Sequence, residues 1–121
     1  MTPQDAETVV RRFFAAWNSG DVGAFDELVH DDFEEVSAPP PGYGRGPAGV
    51  RASYAATQRR LSEFHFDVED VVAQVGKVAC RTTLNFTSRS SGEPGRMIGM
   101  NVFHLAGGKL SREWYVYLKV S

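Results

Sequence analysis

The sequence predicts an α+β fold in which three N-terminal helices pack on one face of a curved, mostly antiparallel sheet. Apolar residues recur at three- and four-residue spacing from Ala6 to Leu61, which is the period of helices with one buried stripe. Beyond Glu63 the period becomes two, in long runs rich in β-branched and aromatic residues. The joints between those runs carry hairpin chemistry, so helices come first and strands follow. At 121 residues, residues 1–121 form one domain, long enough to bury a core without disulfides or a structural metal.

Thr2, Pro3 and Asp5 make a helix start: a hydroxyl cap, a proline where no amide donor is missed, and a capping-box acid. That helix runs to about Ser19 on a stripe of Ala6, Val9, Val10, Phe13, Phe14 and Trp17, and Gly20 ends it. Asp21 caps a second, short helix carrying Val22, Phe25, Leu28 and Val29. A short strand follows over Phe33–Ala38, and then Pro39-Pro40-Pro41-Gly42-Tyr43-Gly44, an exposed loop. Pro47 opens a third helix, with Val50, Tyr54, Thr57 and Leu61 on one side and an end near Ser62. Four strands then occupy 63–72, 77–88, 96–105 and 109–120, joined through Gln74-Val75-Gly76, Ser91-Gly92-Glu93-Pro94-Gly95 and Ala106-Gly107-Gly108.

Composition narrows the function classes. A net charge of −2 gives no long-range attraction to phosphate backbones or anionic lipid, so neither nucleic acid nor membrane is an expected partner. The doublets Arg11-Arg12 and Arg59-Arg60 sit in amphipathic helical patterns and read as solvated faces. Cys80, the single cysteine, lies in a strand-like run and reads as a core thiol. No apolar stretch is long enough to span a bilayer and the N-terminus lacks a signal-peptide pattern, so a cytoplasmic protein is expected. His30, His65 and His104 have no neighbour at metal-ligand spacing, and no nucleotide-binding or nucleophile-elbow motif occurs. No metal or cofactor is therefore expected.

Several segments, in this order and spacing, resemble the SnoaL-like polyketide cyclase and ketosteroid isomerase branch of the nuclear transport factor 2-like superfamily. They are Phe13-Phe14-Ala15-Ala16-Trp17-Asn18-Ser19-Gly20-Asp21, His30-Asp31-Asp32-Phe33, Gly46-Pro47-Ala48-Gly49-Val50-Arg51, Val78-Ala79-Cys80-Arg81, and Gly108-Lys109-Leu110 leading to Trp114. The resemblance implies a cystatin-like cone whose sheet wraps over the helices, an apolar cavity open at one end, and a homodimer through the outer sheet face. The scaffold hosts isomerases, cyclases, epoxide hydrolases and non-catalytic proteins, so activity must be argued from the cavity.

Strand parity places side chains on the two faces. With the resembling family's inward positions carried onto this chain, Glu35, Ser37, Asn101, Phe103, Glu113, Tyr115 and Tyr117 face the cavity. Trp114, Val116 and Leu118 then face outward with His104, and Arg81 lies opposite the inward set Cys80, Thr82 and Leu84. Ketosteroid isomerases pair a carboxylate base with a tyrosine and a protonated acid. Here Phe13 stands at the tyrosine's position, Ser37 at the base's and Asn101 at the acid's. SnoaL-like cyclases place an acid/base aspartate directly after the last-strand tryptophan, where this chain has Tyr115. Glu35 and Glu113 are the remaining carboxyls, and a one-residue register shift exchanges Glu35 for its neighbour Glu34.

The catalytic candidates are therefore Glu113, for proton transfer, with Tyr115 and Asn101 holding developing negative charge. Phe13, Trp17, Glu35, Ser37, Tyr54, Phe103 and Tyr117 are assigned to the ligand-facing wall; for Tyr43 and Tyr54 a place at its mouth is the alternative to exposed or core roles, which their settings favour. The expected activity is cofactor-independent cyclisation or isomerisation of a hydrophobic carbonyl-bearing metabolite, polyketide- or steroid-like. A non-catalytic ligand-binding or scaffold protein is the alternative. Water addition of the epoxide hydrolase kind ranks third, because it needs an Asp-Arg-Asp relay that the inward positions lack.

Overall fold

The structure is a computed structural model describing residues Met1–Ser121. Helix α1 (Pro3–Ser19) opens with the capping box the sequence predicts: Asp5 N–H donates to Thr2 Oγ1 at 3.1 Å, and Thr2 N–H donates to Asp5 Oδ2 at 2.8 Å. It closes on Gly20, whose φ of 76° is left-handed and whose N–H bonds Ala16 O. The second helix is shorter than its apolar pattern predicts: a 3-10 turn (Val22–Ala24) leads into α2 (Phe25–Leu28). It is cut short because Val29 already belongs to a strand, β1 (Val29–Glu35), which also ends three residues before the predicted limit at Ala38.

Helix α3 (Gly46–Arg60) passes into β2 (Leu61–Ala73) with no intervening loop. β3 (Lys77–Ser88), β4 (Pro94–Ala106) and β5 (Lys109–Lys119) complete one five-stranded sheet in the order β1-β5-β4-β3-β2. The meander β2 to β5 is antiparallel as its turns predict, whereas β1 adds to β5 in parallel. A register shift between Val29 and Glu34 leaves Asp31 and Asp32 exposed and brings Glu35 level with Glu113.

The helices cover one face of this sheet. Phe13 sits at the centre of the core, with ring centroids of Phe14, Trp17, Phe25, Phe33 and Phe103 between 5.6 and 6.5 Å away. Tilted and edge-on pairs of this kind each contribute about 0.5–1.5 kcal/mol beyond their area burial. Asn18 ties α1 to the sheet, its amide accepting from Phe66 N–H at 2.7 Å and donating to Phe66 O at 2.8 Å. Alternation along the meander is sharp: Val78, Cys80, Thr82 and Leu84 are buried, and Ala79 and Arg81 between them are exposed. No helix is long and apolar enough to cross a membrane.

Candidate active site

Between the helices and the concave sheet face lies a cavity of about 730 Å³, the size of a small-molecule site. Phe13, Phe14, Trp17, Phe66 and Leu84 supply apolar wall, and Glu35, Glu113, Tyr115 and Tyr117 bring polar atoms to it. These polar groups meet for a topological reason. Glu113, Tyr115 and Tyr117 share a face of β5 by alternation, and the parallel pairing of β1 sets Glu35 beside Glu113. The Glu34 side chain takes the other side of β1, 3.9 Å from Arg45.

Each polar side chain is held. Asn101 donates from Nδ2 to Glu113 Oε2 at 3.3 Å and to Tyr117 Oη at 3.2 Å, and accepts from Thr82 Oγ1 at 2.9 Å. Both amide hydrogens are spent on the scaffold, and no buried side-chain polar atom of the chain lacks a partner. Tyr115 Oη donates to Glu35 Oε2 at 3.4 Å.

Burial sets the protonation states. Glu113 is held well above the ordinary carboxyl range, first by desolvation and then by the neighbouring Glu35 charge; the Asn101 hydrogen bond offsets only part of this. Glu35 is pushed up to about 7 by desolvation, against hydrogen bonds from Ser53 and Tyr115. Tyr117 rises to about 12 and Tyr115 rises too, both chiefly through burial, so both phenols keep their protons at neutral pH. The site thus holds one carboxyl whose charged form burial strongly disfavours, one carboxyl poised near neutrality and two phenol donors on an apolar floor. Such a set can remove a proton at one point and stabilise negative charge at another.

Six of the ten residues singled out in the sequence line the cavity: Phe13, Trp17, Glu35, Glu113, Tyr115 and Tyr117. The other four do not. Ser37 is exposed in the turn after β1, where its Oγ accepts from Tyr115 N–H at 3.1 Å; parity carried it inward only because the strand was expected to continue past Glu35. Asn101 lies behind the wall, reaching the cavity through Glu113 and Tyr117. Phe103 is fully buried against Phe13 and Phe14. Tyr54 packs on Trp17 and Phe64 rather than bordering the mouth, while Tyr43 does line the cavity. Ser53, which lines the cavity, was missed; its place three positions from Val50 on the same helical stripe is the signal that finds it.

Comparison with known proteins bears on this arrangement. The family model described as a SnoaL-like domain matches residues 10–113, a span holding every cavity carboxyl. The structure of TsrD from Streptomyces laurentii superposes with a TM-score of 0.84 at 20% identity, over 97% of this chain and 90% of that one. A SnoaL-like polyketide cyclase from Agrobacterium tumefaciens gives 0.80 at 16% identity, over 93% and 91%. Wild-type IdmH from Streptomyces antibioticus gives 0.77 at 23% identity, over 93% and 91%. No curated protein matches the sequence. At these identities the structures establish a shared fold, the cone of the nuclear transport factor 2-like superfamily.

Proposed function

This chain belongs to the SnoaL-like domain family, and from that premise we propose that it is a cofactor-independent acid–base catalyst acting on a hydrophobic, carbonyl-bearing metabolite of polyketide- or steroid-like shape. Glu35 takes a proton from the carbon next to the carbonyl, and Glu113 and Tyr117 donate hydrogen bonds to the enolate oxygen that forms. Tyr115 orients Glu35, and Asn101 positions Glu113 and Tyr117. Reprotonation at another carbon gives isomerisation; attack of the enolate carbon on a second carbonyl of the same molecule gives cyclisation.

The observation that carries this reading is a buried Glu113, its pKa raised well above the ordinary range by burial, level with a Glu35 whose pKa is about 7, both on one cavity. A ligand carrier has no need of two desolvated carboxyls, each of which burial disfavours in its charged form. The positions at which the family's resemblance implies a base hold Ser37 and Tyr115, so the base is supplied here from Glu35 instead. The cavity wall contains no aspartate, which sets water addition by an Asp-Arg-Asp relay aside.

The test is α-proton exchange of a model ketone, 2-tetralone, in deuterated water followed by NMR. Glu113→Gln keeps the side-chain shape and is expected to slow exchange by about 10²–10⁴-fold with little change in ketone affinity. Full retained exchange removes Glu113 from the mechanism. A wild-type protein that binds the ketone and exchanges nothing turns the assignment to a ligand-binding protein.

We also propose a homodimer through the outer sheet face. Val72, Met100, Val116 and Leu118 are 61–71% exposed there, beside Val102 and Trp114, a contiguous apolar surface that a second subunit covers.

A further inference from the structure

The cavity has a second polar region that the proton-transfer reading leaves unused. Arg59, Arg60 and Arg89 line it together with Ser88 and Ser90. None of the chain's ion pairs involves any of these arginines, whereas the other doublet is paired, Arg11 with Glu7 and Arg12 with Glu27. The arginine region is offset from the carboxyls along both walls: on α3, Ser53, which bonds Glu35, stands seven residues before Arg60, about 10 Å of helix at 1.5 Å per residue. Thr82, which bonds Asn101 at the acid end, and Ser88 lie six residues apart on β3, about 20 Å of extended strand at 3.3 Å per residue.

Complementing the α3 helix dipole does not account for the cluster. The carbonyls at that helix end are already met by one residue of the β3–β4 hairpin: Arg89 donates from Nε to Gln58 O at 3.0 Å, from Nη2 to Leu61 O at 3.3 Å, and from its backbone to Arg60 O at 2.9 Å. Those bonds fix the Arg89 guanidinium in place and leave three of its five side-chain N–H donors free. Arg59 and Arg60, exposed on the last turn of α3, add two guanidinium groups on the same wall. In a chain whose net charge is −2, this is a local concentration of positive charge at an apolar cavity, built from the side chain suited to planar oxyanions.

We propose that this end of the cavity recognises an anionic group, a carboxylate or a phosphate ester, so that the metabolite is an elongated apolar molecule with its reacting carbonyl at one end and an anion at the other. The proposal rests on the carbonyl lying at the Glu35–Glu113 end. Arg89 supplies the fixed donors, and Arg59 and Arg60 supply attraction that weakens as salt screens it.

Two fluorescent probes with the same aromatic body test it: 8-anilinonaphthalene-1-sulfonate, which is anionic, and N-phenyl-1-naphthylamine, which lacks the sulfonate. At low salt the wild type is expected to prefer the anionic probe by about tenfold or more, the worth of one charge-assisted hydrogen bond. The double substitution Arg59→Gln with Arg60→Gln, both on exposed positions, lowers that preference by the part that salt screens and leaves the neutral probe unaffected; added salt does the same to the wild type, and what persists in both is the share of Arg89. Displacement of the sulfonate probe by 2-naphthoate or by 1-naphthyl phosphate, whichever acts at the lower concentration, identifies the anion. Equal affinity for both probes that neither the substitutions nor salt alters overturns the proposal, and so does failure of both probes to bind. Glu113→Gln separates this inference from the catalytic one, because it is expected to slow ketone exchange while keeping the anion preference.

Discussion

Neighbouring residues of β5 live in two different worlds. Glu113, Tyr115 and Tyr117 turn to the concave side, where no buried side-chain polar atom lacks a partner and two carboxyls are shifted out of their ordinary range. Val116 and Leu118 turn to the convex side, bare apolar groups 62% and 66% exposed. The difference teaches that one strand pattern can serve two ends. On the function proposed above, the inner face sacrifices stability for chemistry by burying acids, and on the proposed dimer the outer face leaves apolar area for association. Substitutions on the two faces should therefore separate turnover, stability and assembly from one another.

The largest separation is expected at Glu35. Its folded-state pKa, about 7, lies above the ordinary 4.5, so the folded protein holds a proton that the unfolded chain gives up. Stability on its account is complete below pH 4.5 and is lost as pH rises through about 7. Glu113, shifted in the same direction, extends the loss to higher pH. A shift of this size is worth up to about 3 kcal/mol. Glu35→Gln should therefore unfold at higher denaturant than the wild type at pH 8, by roughly 1–3 kcal/mol, and the two should converge near pH 4. Its ketone exchange should fall by about 10²–10⁴-fold, and the rise of wild-type kcat/KM with pH through about 7 should vanish. A wild-type rate that is flat from pH 5.5 to 8 excludes Glu35 as the base.

An intermediate effect is expected at Asn101, which touches no ligand but bonds both Glu113 and Tyr117. Asn101→Leu is close in volume and leaves both partners short of a donor, so a loss of about 1–3 kcal/mol follows. Because Asn101 hydrogen-bonds the charged form of Glu113, its removal raises that pKa further. The signature of positioning is a kcat that falls about 10–100-fold while KM holds. Asn101→Asp, whose protonated form donates one hydrogen bond, should retain more of the wild-type rate than Asn101→Leu when all three are compared at the same low pH. A wild-type kcat in Asn101→Leu makes the network purely structural.

How much of this was legible in the sequence follows from the range over which each feature is determined. The capping box at Thr2, the Gly20 stop and the meander from β2 to β5 depend on residues close in sequence, and local period and turn chemistry place them. Glu35 was ambiguous because its orientation is set by parallel pairing to a strand 78 residues away, across an irregularity between Val29 and Glu34 that breaks simple alternation. Ser37 was carried inward by the same alternation, projected past the point where β1 leaves the sheet. Arg59-Arg60 read as a solvated face because helical period carries no information about the β3–β4 hairpin that folds back and binds the helix end through Arg89. Tertiary pairings of this kind made the site, and they are what periodicity cannot report.

The smallest effect on the single subunit is expected on the convex face, and there the comparison is at its sharpest. Val116 is 62% exposed and lies between Tyr115 and Tyr117, opposite Met100 on β4. Within one subunit, Val116→Asp touches no core residue, so its stability as a monomer should stay within about 0.5 kcal/mol of the wild type. In a dimer formed through this face, the same change sets a carboxylate, and its symmetry copy, into an apolar contact without a partner. The wild type is expected to scatter light at twice the chain mass and Val116→Asp at the chain mass alone, with ketone exchange per subunit preserved. A monomeric wild type at micromolar concentration removes the dimer, and a Val116→Asp dimer moves the interface elsewhere. If dissociation instead abolishes exchange while the fold persists, the two faces are coupled through the backbone of β5, and the independence argued from its alternation fails.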